Sequence, residues 1–320
     1  MLEAGNLAQA LELYASIILE SSLEEDQFEL ARQLAIDEVR ALDDEPQHKV
    51  ILKLREQFYP SPLGRSTIGE IAELKALTAP DTRQIINNNF NLSQTIFAVA
   101  GKYDFDAIAA QMGNLFSRTK TAAQRSAVLV RDKAGKYTHL HNDGAQVHIG
   151  LMTETVKPAD KDYYNARVAV SVLSGGMSAR LFTEVREKRG LCYAVRAQYH
   201  CLKDAAGIMC YAGTTPDKAQ ETLDVIMAEF DRLSAEISEE EIERAKVGLK
   251  ASLILQSESS SSRAGAIGGD YYVLGRVRSL DEIKNKIEAT SVDSVLGFLR
   301  SNAFGDFTVV TIGPKKVAVK

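Results

Sequence analysis

The chain has 320 residues, of which 45% are hydrophobic and 25% charged, with a formal net charge of −5. That length supports two domains of ordinary size, each able to bury a core of its own. The apolar runs fall short of the ~20 residues that a membrane span needs, and the acidic balance argues against phosphate backbones, so neither a membrane nor a nucleic acid is expected as a partner.

Residues 2–19, LEAGNLAQALELYASIIL, read as an amphipathic helix rather than as a charged leader, apolar core and cleavage site. No export signal is read there, and a cytoplasmic location is favoured. Ser22 and Glu25 then have capping-box spacing ahead of a charged helix. PLGR, Pro62–Arg65, precedes a helical stretch that leads to TIFAVAG, Thr95–Gly101, read as a strand. SRTKTAAQRS, Ser117–Ser126, is polar, basic and weakly periodic, as a linker is. From Ala127, AVLVRDKAGKYTHLHNDGAQVHIGLMTE gives strand-like runs around Asn142-Asp143-Gly144, which predicts a hairpin.

A helix is predicted at about 161–172. It is followed by LSGGMSARLFTEVREKRGLCY, Leu173–Tyr193, with Gly176 as a helix stop, Ser178 capping a short helix over Ala179–Lys188, and Gly190 ending it. Strands are predicted over Leu191–Tyr199 and Gly207–Gly213, then a helix opened by Thr215-Pro216. Ser238 and Glu241 repeat the capping-box spacing. QSESSSSRAG, Gln256–Gly265, reads as a loop or frayed helix, and FTVVTIG closes the pattern as a strand. Strands and helices in blocks predict an α+β fold with a mainly antiparallel sheet.

The chain repeats itself. Thr78 maps to Thr290 and Gly101 to Gly313, each a shift of about 212 residues, as a tandem duplication produces. The reading is therefore residues 1–117 as the helix-rich C-terminal half of a first domain, 118–126 as a linker, and 127–320 as a complete second domain. Projecting the second copy back places the start of the first about 85 residues ahead of Met1. The first copy is thus expected to lack its strand-rich half and to expose an apolar face or sheet edge, with association or partial stability as the result.

Gly175-Gly176 follows a helix and lacks the G-x-x-x-x-G-K-[ST] spacing of a phosphate loop. Period-two alternation puts Leu191, Tyr193, Val195 and Ala197 on one strand face. Arg186, on the last helical turns before Gly190, and Tyr193 beyond it then have two readings. Either they converge on a carbonyl that becomes an oxyanion, or they are a surface arginine beside a core tyrosine. His139, His141 and His148 lie near one another on predicted strands, but no carboxylate or cysteine joins them at ligand spacing, and a polar sheet face is the simpler reading. Cys192, Cys201 and Cys210 have no disulfide framework spacing and suit a reducing compartment as small buried side chains. SEEEIERAK is a solvated helix face.

In GGMSARLFTEVREKRGLCY, in PLGR and in its duplicated architecture, the chain resembles the pitrilysin/insulinase family of zinc peptidases, the inverzincins, and most of all the smaller bacterial and mitochondrial-processing-type members. The resemblance covers essentially the whole chain. It implies two homologous domains of antiparallel sheet plus helices, the first incomplete here, that enclose a chamber. It implies zinc held by the two histidines of an inverted motif, His-x-x-Glu-His, whose glutamate activates water. Arg186 and Tyr193 would hold the substrate backbone and the tetrahedral intermediate. A later glutamate completes the ligand set, and in LARQLAIDEVRALDDEP the matching residue is Glu38; the acidic residue often found seven positions earlier is Ala31.

None of the five histidines, His48, His139, His141, His148 and His200, belongs to a His-x-x-Glu-His, which the family places upstream of Glu38. One carboxylate does not make a catalytic zinc site, which needs three protein ligands. Two functions stay open beside the distant one of a plain binding module. The chain is either most of a zinc endopeptidase that hydrolyses peptides, inactive without the segment carrying its zinc motif, or a non-catalytic partner lending an Arg/Tyr half-site to a zinc-bearing subunit. Glu38 favours the first. A peptide substrate and a homo- or heterodimer are the expected partners, and zinc is the cofactor expected only in the complete enzyme.

Overall fold

The structure, a computed structural model, describes residues 3–89, 95–117 and 137–319. The expected linker at 118–126 lies outside the described residues. The chain forms two compact units. Met1–Ala41, Ile68–Ala127 and Gln256–Tyr271 make the first, and Leu42–Thr67, Val128–Leu255 and Tyr272–Lys320 the second. No helix among the described residues is long and apolar enough to cross a membrane.

The first unit is helical: α1 (Leu7–Leu19), α2 (Glu25–Ala41), α4 (Ile71–Ala76), α5 (Ala79–Asn89) and α6 (Phe105–Leu115). α2 is tied down by Arg32, which donates to the Leu77 carbonyl at 3.1 Å, and Arg83 donates to the Ser22 carbonyl at 2.7 Å. The capping box expected at Ser22 and Glu25 is not formed, because Leu23 takes a left-handed φ of 48° and the helix begins only at Glu25. Leu11, Ala15, Phe28, Ile36 and Ile108 are buried, whereas Leu13, Ile17, Leu30, Leu34 and Phe105 remain exposed. The strand expected at TIFAVAG is absent: residues 95–101 carry no strand and join no ladder among the described residues. A strand needs a neighbour to take its backbone hydrogen bonds.

The second unit is built on a sheet of β1 (Tyr137–His141), β2 (Val147–Glu154), β3 (Cys192–Cys201), β4 (Ala206–Thr214) and β5 (Thr308–Gly313), in the order β1-β5-β2-β4-β3. β1 and β5 run parallel, and every other pair is antiparallel. The predicted hairpin around Asn142-Asp143-Gly144 is therefore corrected. The turn exists, with the Gly144 amide bonded to Asn142 Oδ1 at 2.9 Å, but β5 inserts between β1 and β2. Gly101 and Gly313, partners in the repeat, both have positive φ, 136° and 154°.

Period-two alternation sorts the sheet into two faces. Ile149, Leu151, Ile208, Cys210 and Val309 pack with α7 (Tyr163–Ser174), α8 (Ala219–Ala235) and α12 (Val292–Ser301). Met152, Met209, Tyr211, Val310 and Ile312 pack with Val50 and Leu54 of α3 (Pro46–Phe58). Because both faces are covered, β2 and β4 are buried almost end to end and read as continuous apolar runs. α9 (Glu239–Glu258) and α11 (Leu280–Glu288) complete the second unit's helices, whereas most of α10 (Ser260–Leu274) belongs to the first unit. α3 lies in the part of the sequence assigned to the first repeat, yet its packing belongs to the second unit.

Candidate functional site

α7 ends at Ser174, and its C-cap is Gly175, whose amide bonds to the Ser171 carbonyl at 2.6 Å. Its φ of −80° is ordinary, so the requirement here is space: a Cβ at Gly175 would collide with the Ser171 carbonyl and hydroxyl. Ser178 does not cap the following helix as expected. That segment is a π-helical turn over Phe182–Glu187 whose N-cap, Leu181, makes no side-chain cap. The Lys188 amide reaches back five residues to the Thr183 carbonyl at 2.9 Å, and the Leu191 amide reaches Val185 at 2.9 Å. Such turns insert one residue into a helix and recur at functional sites. Gly190 closes the turn with φ of 57°, the left-handed conformation glycine adopts freely. Its carbonyl accepts from Lys218 Nζ at 2.9 Å, and Thr214 Oγ1 donates to the Leu191 carbonyl at 2.6 Å.

β3 then begins with an irregularity. Cys192 pairs with Thr214 and Ala194 with Gly213, which leaves Tyr193 as the extra, unpaired residue of a β-bulge. A bulge re-aims side chains. Leu191 is buried while Tyr193 is 79% exposed, so the expectation that they share a face is corrected. Arg186 is likewise exposed, with its guanidinium over the Phe182 ring at 4.9 Å from the centroid. The two residues thus stand on either side of the Gly190 turn, each presented to solvent by a local break in regular structure. Among the described residues β3 is an edge of the sheet, paired with β4 alone.

Beneath this surface the charges are paired. Arg180, 5% exposed, donates from Nε and Nη2 to the two carboxylate oxygens of Glu241 at 2.6 and 2.9 Å, and from Nη2 to the Glu236 carbonyl. Ser238 and Glu241 also form the predicted capping interaction at the start of α9. Burial would raise the Glu241 carboxyl, but the hydrogen bonds from Arg180 and Ser238 outweigh it and hold it down to about 2. Glu184, in the π-turn, accepts from Lys188 Nζ and Arg189 Nη1, both at 2.7 Å, which lowers its carboxyl. Glu229 shows the opposite balance: burial raises it despite Arg232 at 3.1 Å, and its Oε2 has no partner among the described residues. Desolvation pushes the Cys192 thiol up to about 11, so it is a buried thiol and not a poised thiolate. A groove of about 480 Å³ between Gly175–Ala179 and α9, lined by Met177 and Val247, is bordered by neither Arg186 nor Tyr193.

Glu38 stands on α2 in the first unit and is exposed. Its neighbour Asp37 is engaged by Gln33 and Arg40. Among the described residues no three His, Cys, Asp or Glu side chains gather as a metal group. The histidines are dispersed into separate hydrogen bonds: His139 with Thr311, His148 with Tyr211, and His200 with Tyr59. With β5 between β1 and β2, His148 no longer faces His139 and His141 across a hairpin. These side chains do not fit a catalytic zinc. Sequence reasoning missed Arg180, Glu184 and Glu229; the only signal for Glu184 is its i,i+4 spacing to Lys188.

The family described as peptidase M16 inactive domain matches residues 76–249, more than half of the chain. The chain belongs to this family. An uncharacterized zinc protease of Rickettsia felis is 27% identical over 97% of this M16 chain and 75% of its own length. One of Bacillus subtilis is 24% identical over 95% and 75%. Among solved structures, a peptidase M16 inactive domain from Pseudomonas fluorescens superposes with a TM-score of 0.86 at 18% identity, covering 97% of this chain and 75% of that one. A protease from Helicobacter pylori gives 0.86 at 22% identity, with 97% and 77% covered. The M16 fold and a zinc-protease-like family membership therefore stand, with the signature stretch inside the matched region.

Proposed function

We propose that this M16 chain is most of a zinc-dependent endopeptidase and that its own contribution is to grip the peptide. Arg186 and Tyr193 carry that role. The guanidinium donates to a peptide carbonyl and the phenol donates beside it, at the place where a tetrahedral oxyanion would develop. The single observation behind this reading is that a π-turn and a β-bulge on the two sides of Gly190 expose both side chains at a sheet edge. The names of the relatives, zinc proteases, support the reaction class. The zinc chemistry is not carried by the residues described here. It would come with a His-x-x-Glu-His segment, to which Glu38 offers a third ligand.

A second reading is favoured by the dispersal of the metal-binding side chains: a non-catalytic subunit that lends the Arg/Tyr half-site to a zinc-bearing partner, in a homo- or heterodimer. Both readings need the same grip. The test is fluorescence anisotropy with labelled extended peptides from denatured casein. Arg186→Ala should weaken binding about tenfold or more, the worth of a charge-assisted hydrogen bond, and Tyr193→Phe about fivefold. Unchanged affinity in both variants would remove the grip and both readings with it. Peptide turnover on mixing with a zinc-bearing fragment, lost in Glu38→Ala, would select the first.

A further inference from the structure

We infer that Glu184 is the positioning residue that fixes the π-turn and, through it, the direction of Arg186; the inference rests on the proposed peptide grip for its functional meaning. Glu184 faces inward, 8% exposed, while Arg186 two positions later faces solvent. Both of its carboxylate oxygens are used. Oε1 accepts from Lys188 Nζ and Oε2 from Arg189 Nη1, and the same Nη1 donates to the Glu184 backbone carbonyl at 2.8 Å. Arg232 of α8 lies 3.9 Å from Oε1 and links this carboxylate to the helix beneath. The clamp therefore runs from residue 184 to residues 188 and 189, and Arg186 sits inside the loop it closes.

Helix geometry sets the consequence. A π-turn holds one residue more than an α-turn, and an α-helix advances about 100° per residue, so expelling that residue would rotate the downstream side chains by about that angle. At the exit of the wide turn the backbone bonds, Lys188 to Thr183 and Leu191 to Val185, reach back five and six residues, farther than the four of an α-helix. A buried carboxylate with two charge-assisted bonds adds a side-chain restraint across the same residues. Surface ion pairs contribute little, but here the acid is buried, and removing it leaves Arg189 with only the Glu184 backbone carbonyl while Arg232 keeps Glu229.

The experiment uses the full chain with isotope-labelled arginine. The Phe182 ring below the Arg186 guanidinium should shift the Arg186 side-chain protons upfield, with Phe182→Leu as the calibration. Glu184→Gln should collapse that shift towards the solvent value. Lys188→Met combined with Arg189→Met, which removes the clamp from its more exposed side, should do the same if the first variant folds poorly. In peptide binding, Glu184→Gln should cost about as much as Arg186→Ala and add nothing in the Arg186→Ala background. An Arg186 signal that stays upfield in both clamp variants overturns the inference, as does an equal affinity loss with and without Arg186. If Arg186→Ala leaves peptide affinity unchanged, the grip reading fails, while the ring-current shift still decides the role of Glu184.

Discussion

At the scale of single residues, the site depends on one glycine and two misfits in regular structure. Gly190 has φ of 57° with open space around it, so a Cβ there meets no neighbour and the whole cost is conformational. Gly190→Ala should lower stability by about 1–2 kcal/mol, and Gly190→Asn by less, because asparagine tolerates the left-handed region. Urea midpoints read this, and an alanine variant as stable as wild type would show that the turn relaxes. The sequence made Gly190 legible as a stop and Arg186 and Tyr193 legible as a pair. It did not show how they are presented. Both the π-turn and the bulge are one-residue insertions, and periodicity arguments assume that the period continues. Histidines add a second residue-scale prediction. Burial lowers His148, whose Nδ1 lies 2.9 Å from the Tyr211 hydroxyl. A histidine with a lowered folded pKa binds its proton more readily when unfolded, so its contribution is complete above about 6.5 and is lost as pH falls below that. The unfolding midpoint should drop between about pH 7 and pH 5.5, less so in His148→Gln; a drop of equal size in the variant would assign the effect to other groups.

Among elements, the decisive contact is the one between the signature helix and α9. Sequence showed the Ser238 and Glu241 cap but not that Glu241 also receives Arg180, because the partners lie 61 residues apart and nothing local links them. The same limit explains β5, whose pairing with β1 joins residues more than 170 positions apart, as His139 with Thr311. Arg180 and Glu241 give an acid-sensitive joint. The Glu241 carboxyl is depressed from 4.5 to about 2, so its stabilising share is complete above about 4.5 and is lost as pH falls towards 2. The full span is about 3 kcal/mol. Glu241→Gln should lose about 3–5 kcal/mol at neutral pH, since Arg180 is left buried and uncompensated, and should flatten the acid limb of the stability curve. A variant with the wild-type slope between about pH 5 and pH 2 would place the acid sensitivity elsewhere.

For the molecule as a whole, the two units differ in what they bury. The largest fully buried side chains among the described residues, Phe230, Leu54, Ile149 and Leu151 among them, belong to the second unit. The first unit leaves Leu13, Ile17, Leu30, Leu34 and Phe105 exposed, and its 95–101 segment joins no sheet among the described residues. Stability follows apolar burial, so the first unit should melt at lower urea with a small slope, losing helix signal while the amides of β2, β4 and β5 stay protected. α3 makes this prediction sharp. By the repeat it is counted with the first copy, but Leu54 is fully buried against the second unit's sheet, and Gly150 and Gly207 let that helix approach: a Cβ on Gly150 would lie 3.2 Å from Leu54 Cδ2. Leu54→Ala should therefore cost about 2–5 kcal/mol in the second transition alone, whereas Leu11→Ala should shift only the first. If Leu54→Ala moves the first transition, α3 is energetically part of the first unit, as its place in the sequence repeat suggests. If helix loss and amide exposure coincide in one transition, the two units unfold as a single cooperative body.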